Sequence, residues 1–181
     1  MLPTSRQSPL EDARQKVALI RPDGLRILDT CGGLGYFAVA LLEAGAREIL
    51  SFEKSAAVLW LRSQNPWSPT PKPPLELRHD DVGEAIHTLA DRSFDAILHD
   101  PPRFGIAGEL YSLAFYQQLA RVISPGGRLF HYTGTPNRLT SGRDVPAEVS
   151  RRLGEAGFST ERALDGVLAI RRRRSDRNHT R

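Results

Sequence analysis

The sequence predicts an α/β fold: a doubly wound sheet, mostly parallel, closed by an antiparallel strand at its C-terminal end. Three observations predict it. Short apolar runs of strand length alternate with helical stretches along the chain. Five such runs are each followed by a helical stretch, the βα repeat of a parallel sheet covered on both faces. The last two runs follow one another with no helix between them, the mark of an antiparallel pair.

The elements follow in order. Residues 1–9 read as a loose leader, and Pro9–Leu19 as a first helix. Arg26–Asp29 is a short buried strand. Tyr36–Ala44, rich in Ala and Leu, is a helix stopped by Gly45. Glu48–Glu53 and Ser55–Arg62 are the second strand and helix. Residues 65–74 carry five prolines and must run as an irregular loop. Leu75–Arg78 is the third strand and Val82–Leu89 its helix. Phe94–His99 is the fourth strand, and Leu110–Val122 a long helix closed by Ser124-Pro125-Gly126-Gly127. Arg128–Tyr132 is the fifth strand, Val145–Ala156 the last helix, and Ser159–Ala163 with Gly166–Arg171 the antiparallel close. The organisation expected is a leader and helix start over 1–15, one domain over 16–171, and a basic tail over 172–181.

The 181 residues suffice for one domain with a proper core. No apolar run approaches the ~20 residues needed to cross a bilayer, so no membrane partner is expected. Residues 1–15 lack the basic and apolar regions of a signal peptide, and the single cysteine, Cys31, excludes a disulfide within the chain. A reducing cytoplasmic setting is expected. The net charge is +4, but residues 171–181 hold six arginines against Asp176, a net of +5, which leaves −1 for residues 1–170. The arginines can meet RNA phosphates, or they can form a solvated terminus.

The first strand runs into Asp29-Thr30-Cys31-Gly32-Gly33-Leu34-Gly35. Glycines between a strand and a helix let the backbone turn sharply and approach a ligand. The spacing is not G-x-G-x-x-G, and no Lys-Ser/Thr ends the loop, so neither a dinucleotide nor a P-loop is indicated. An acid, Asp29, precedes the glycines. A carboxylate there repels a pyrophosphate and suits a cationic ligand such as a sulfonium amino acid. Glu53, eighteen residues after Gly35, ends the second strand, where it can accept from two ribose hydroxyls or cap the next helix. Asp80 and Asp81 end the third strand, where a carboxylate can accept from an adenine amino group while Asp81 caps the following helix. The fourth strand ends in His99-Asp100-Pro101-Pro102-Arg103-Phe104, at the edge where a doubly wound sheet places its site. Two prolines strip two donors and stiffen this loop.

Asp29 with Gly33 and Gly35, then Glu53, then Asp81, resembles the motif series of class I, Rossmann-like S-adenosylmethionine-dependent methyltransferases over about residues 20–135. Cys31 stands where the first glycine of that series is expected, and it reads as a small filler of the turn. The resemblance implies S-adenosylmethionine as cofactor, held by Asp29, Cys31, Gly33, Gly35, Glu53, Lys54, Asp80 and Asp81. The Asp100-Pro101-Pro102 loop resembles the D-P-P-aromatic loop of amino-group methyltransferases, in which the acid and a proline carbonyl hold an exocyclic amine. There an aromatic residue follows the prolines directly; here Arg103 intervenes before Phe104. D-P-P-R loops of uridine C5 methyltransferases need a downstream cysteine, and none follows Cys31, so that chemistry is excluded. The stretch through Tyr111 and His131-Tyr132, together with Asn65-Pro66-Trp67-Ser68, is similar to a group of predicted archaeal-type methyltransferases with the D-P-P-R-F motif.

The expected catalytic set is therefore Asp100, Pro101, Pro102 and Phe104, and the expected acceptor contacts are Arg103, Tyr111, His131 and Tyr132. Arg103 can pair with a substrate anion or with a neighbouring acid. His131 can act as a base or lie in the packing layer. Trp67 can close over the site or anchor its loop. The acceptor is an RNA base or a small molecule. Two other functions fit the same sequence: aminopropyl transfer, as in spermidine synthase-like proteins, and a non-catalytic RNA-binding module.

Overall fold

The computed structural model describes residues 7–134 and 144–173. Arg174 and the arginines beyond it, and the leader residues 1–6, lie outside the described residues. Among the described residues no helix is long and apolar enough to cross a membrane.

Seven strands form one sheet in the order β3-β2-β1-β4-β5-β7-β6. The first five are β1 (Arg26–Asp29), β2 (Glu48–Phe52), β3 (Leu75–Arg78), β4 (Phe94–His99) and β5 (Ile123–Tyr132). All neighbours among these five pair in parallel. β7 (Gly166–Arg171) inserts between β5 and β6 (Phe158–Ala163) and runs antiparallel to both. The expected α/β doubly wound sheet with an antiparallel C-terminal strand is what the chain forms. The strand order reverses between β1 and β4, and the carboxyl ends of those parallel strands meet there. A doubly wound sheet opens its binding crevice at such a switch point.

Two apolar layers cover the sheet. On one face α1 (Pro9–Ile20) and α2 (Tyr36–Glu43) bury Val17, Ile20, Ala38 and Leu41 against Ile27, Ile49 and Leu98. On the other, α4 (Val82–Ala85), α5 (Leu113–Val122) and α6 (Val145–Glu155) bury Val82, Tyr116, Leu119 and Leu153 against Leu28, Ile97 and Leu129. The third helix, α3 (Ala56–Gln64), buries only Arg62 and leaves Trp60 and Leu61 largely exposed.

Several boundaries differ from the expected ones. α1 is one continuous helix across residue 15, so the leader-to-domain division falls inside an element. Its Ser8–Glu11 capping box fixes the start. The long helix expected over Leu110–Val122 splits into a 3₁₀ turn, Gly108–Tyr111, and α5, whose N-terminus is capped by Ser112. Val82–Leu89 likewise divides into α4 and a 3₁₀ turn over Ile86–Thr88. The Ser124–Gly127 segment is not a closing turn. It lies inside β5, where Ile123 pairs with Phe94 and Arg128 with Ala96, so the extra residues form a bulge.

Candidate active site

The glycine loop after β1 is laced to both neighbouring strands. Thr30 N donates to Leu98 O of β4 at 3.1 Å, and Gly32 N to Phe52 O of β2 at 2.7 Å. Gly33 and Gly35 take φ of +49° and +86°, the left-handed region open to glycine at little cost. A Cβ on Gly33 would meet nothing within 4 Å, so this backbone faces open space. A Cβ on Gly35 would stand 2.7 Å from Cζ of Arg62. The Arg62 guanidinium lies beneath the loop and reaches the Gly32 and Gly33 carbonyls at 3.4 Å. The sequence reading missed Arg62. Its one signal is a charged side chain that follows the apolar run Ala56–Leu61.

Three acids stand at the carboxyl ends of β1, β2 and β3, as expected. Asp29 is fully buried and accepts from Ser51 Oγ at 2.7 Å, while its Oδ1 has no hydrogen-bond partner. Burial pushes its pKa up to about 6 against the Ser51 bond and the Arg62 charge. Glu53 accepts from Gly33 N at 3.0 Å and from Ser55 N at 2.8 Å, which ties the tip of β2 to the glycine loop. Each carboxylate oxygen keeps a second lone pair for a ligand. Asp81 caps α4 through Gly83 N at 2.8 Å and pairs with Lys54 Nζ at 3.3 Å. Thr30, Cys31, Phe52, Glu53, Lys54, Asp80 and Asp81 line one pocket with Val82, Pro102 and Leu110. Cys31 is held as a neutral thiol, its pKa raised by burial.

A second cleft adjoins the first. Cys31, Gly33, Glu53, Lys54, Asp100, Pro101, Pro102, Arg103, Tyr111 and Tyr132 all line it, joined by Val58 and Thr133. Burial pushes the Asp100 carboxyl up to about 7, opposed by the Lys16 ammonium, and the negative charges of Asp29 and Asp165 add to the rise. A third trough runs between α1 and the glycine loop, and Asp12 and Asp100 both face it. Arg103 is exposed at the rim.

Two of the expected site residues, Phe104 and His131, sit away from the open cleft. Phe104 does not stand free over the acceptor: its ring packs against the core and meets Tyr111 edge-on, 5.5 Å between centroids. The inserted Arg103 shifts the aromatic by one position and turns it inward. Tyr111 is itself 2% exposed and donates its hydroxyl to Pro102 O at 3.1 Å, so it pins the proline loop. His131 is fully buried and does not reach the cleft. Its Nε2 lies 2.8 Å from the Tyr116 hydroxyl and its Nδ1 2.8 Å from Tyr132 O. Register pairs it with His99, whose ring nitrogens face Thr30 Oγ1 at 2.7 Å and Leu110 O at 3.0 Å. Burial lowers both imidazole pKa values, His99 to about 4, so the pair is a neutral part of the core. Trp67 is 67% exposed and so does not anchor its loop by burial.

No protein-family profile matches the chain. An uncharacterized protein of Methanocaldococcus jannaschii is 39% identical over 175 residues, 94% of this chain and 60% of that protein. The chain thus spans about three-fifths of the length of this relative. Among solved structures, an S-adenosylmethionine-dependent methyltransferase of Mesorhizobium loti superposes over 90% of this chain and all of its own, with TM-score 0.65 and 18% identity. A methyltransferase of Haloferax volcanii, solved with the activator Trm112, covers 91% of this chain and 92% of its own at TM-score 0.66 and 15% identity. A spermidine synthase bound to a transition-state analogue covers 90% of this chain and 59% of its own at TM-score 0.72 and 15% identity. At these identities the likeness defines the fold: the chain has the Rossmann-like fold that these methyltransferases and the spermidine synthase share.

Proposed function

We propose that the protein is an S-adenosylmethionine-dependent methyltransferase that methylates an amino nitrogen. One observation carries the reading. Carboxylates from the ends of β2 and β3 line a pocket beside a glycine loop whose Gly33 backbone faces open space, Asp29 of β1 is buried where that loop begins, and Asp100 opens onto the adjoining cleft. The residues present fit the cofactor. A side chain at Gly33 would fill the space beside the loop. The fully buried Asp29 has an oxygen without a protein partner, and the acceptor set is anionic, suited to hydroxyls and amines instead of phosphates.

Bound there, S-adenosylmethionine supplies an electrophilic methyl group whose departure leaves a neutral thioether. Glu53 would hold the ribose hydroxyls, with Asp81, Asp80 and Lys54 around the base. Asp29 and the Cys31–Gly35 backbone would hold the amino-acid end. Asp100 would accept a hydrogen bond from the acceptor amine and aim its lone pair, a contribution of orientation above all. Pro101 and Pro102 keep this loop stiff, and Tyr132 with Arg103 would form the acceptor wall. The inward packing of Phe104 removes the ring that would stack on a nucleobase, which favours a small-molecule amine over RNA.

Titration calorimetry with S-adenosylmethionine, S-adenosylhomocysteine and decarboxylated S-adenosylmethionine tests the reading. Micromolar binding of the first two supports it. Binding of the decarboxylated form alone would replace it with aminopropyl transfer, and binding of none would leave a non-catalytic module. Glu53→Ala should weaken cofactor binding about tenfold or more, the loss of roughly 1.4 kcal/mol. Asp100→Ala should leave that binding within about threefold and abolish transfer of a tritiated methyl group; retained turnover would remove Asp100 from the mechanism.

A further inference from the structure

Ala13, Lys16, Val17 and Ile20 form the buried face of α1, so a lysine stands in an apolar stripe. Lys16 is 2% exposed. Its Nζ donates to Asp12 Oδ2 at 2.6 Å and to Asp165 Oδ2 at 3.1 Å, and it stands 4.2 Å from the centroid of the Tyr132 ring. One ammonium thereby joins α1, the turn between β6 and β7, and the end of β5. A packing role alone would be served by an apolar side chain, since a buried ion pair is weak support for stability. What Lys16 stands behind is the cleft wall. Tyr132 and Asp100 line the same cleft, and Asp12 and Asp100 the same trough.

We propose that Lys16 is a positioning residue of the acceptor site, holding the Tyr132 ring in the cleft wall that Asp100 shares, without touching substrate. The proposal rests on the reading of the cleft as a methyl-acceptor site. Asp100, half-buried at the cleft, gives up part of its water and feels the carboxylates of Asp29 and Asp165, all of which favour its neutral form. Lys16 supplies the larger opposing charge. Around Tyr132 the charged groups are Asp12, Asp100 and Asp165 with Arg103, and Lys16 covers a ring face. An aromatic ring under an ammonium is held by its quadrupole as well as by contact, which fixes the wall.

The test is a carbon-13 NMR titration of the Asp100 carboxyl in the full chain. Lys16→Met should raise its midpoint by about one pH unit or more, while Lys16→Arg should stay within about 0.3. Asp165→Asn should move it the opposite way, downward, a reversal that general loosening does not produce. An Asp100 midpoint that ignores Lys16→Met, or that rises in both Lys16→Met and Asp165→Asn, would overturn the proposal. If Lys16→Met does not fold, Lys16→Gln takes its place with the same expected rise. S-adenosylmethionine affinity should change less than threefold in each folded variant, and the acid limb of kcat/KM should follow the NMR midpoint. Failure of the unaltered protein to bind S-adenosylmethionine would overturn the methyltransferase reading while the titration still answers for Lys16.

Discussion

A carboxylate taken out of water holds its proton more tightly, and Asp29 and Asp100 both do so, to about 6 and about 7. An unfolded chain loses those protons near pH 4. Between pH 4 and 7 the folded state therefore binds more protons, and Asp100 withdraws stability as pH rises through that window. The two buried histidines act oppositely, since unfolding lets them take protons below about pH 6.5. The contrast between wild type and Asp100→Asn isolates Asp100. The variant should melt a few degrees higher at pH 8 and show little difference at pH 4. Equal melting temperatures at pH 8 would show that Asp100 is not strained by burial. A second test at this scale is Gly35→Ala. The left-handed backbone and the Arg62 guanidinium both oppose a methyl there, so urea unfolding should show a loss of about 1–3 kcal/mol. A loss below about 0.5 kcal/mol would mean that Arg62 shifts freely.

Elements succeed here where local signals and tertiary demands agree. α1 carries Ser8, Pro9 and Glu11 at its start, and its capping box is formed in full. Ser8→Ala should cost about 1 kcal/mol in denaturant unfolding, and no change would show that packing alone sets the helix start. The 110–122 segment shows a local signal overridden. Its apolar period suggests one helix, yet the Tyr111 hydroxyl must reach Pro102 O, so the chain turns and restarts at Ser112. β5 shows the reverse: Pro125-Gly126-Gly127 reads as a turn, but β4 offers hydrogen-bonding partners to Ile123 before it and Arg128 after it. A strand can absorb such residues as a bulge. Only pairing partners reveal that outcome.

At the scale of the molecule, the strand order brings residues 53, 81 and 100, far apart in the chain, to adjoining clefts at the carboxyl ends of the strands, with the buried Asp29 at the end of β1. A ligand seated across three strand ends ties both apolar layers together. Thermal melts should accordingly rise with S-adenosylmethionine, by about 2.7 kcal/mol of stabilisation at a hundredfold excess over Kd. A melting temperature independent of the ligand would contradict a cofactor site spanning these strands.

The sequence by itself determined the α/β alternation, the glycine loop and the acids that end the strands, because each is local: apolar period sets an element, and glycine and carboxylate are placed by the strand end they follow. Tertiary structure alone decided which face each side chain takes. His131 was ambiguous because strand alternation leaves the phase open until register pairs it with His99. Phe104 was misplaced because one inserted residue sends a ring inward only when Tyr111 is there to receive it. Lys16 and Arg62 carry no decisive local signal, because a cation beside polar residues such as Arg14 and Gln15 or Ser63 and Gln64 reads as solvated until distant Asp165 and the underside of the glycine loop come to meet them. Those contacts span 149 and 30 residues, from Lys16 to Asp165 and from Arg62 to Gly32, and no local pattern encodes them.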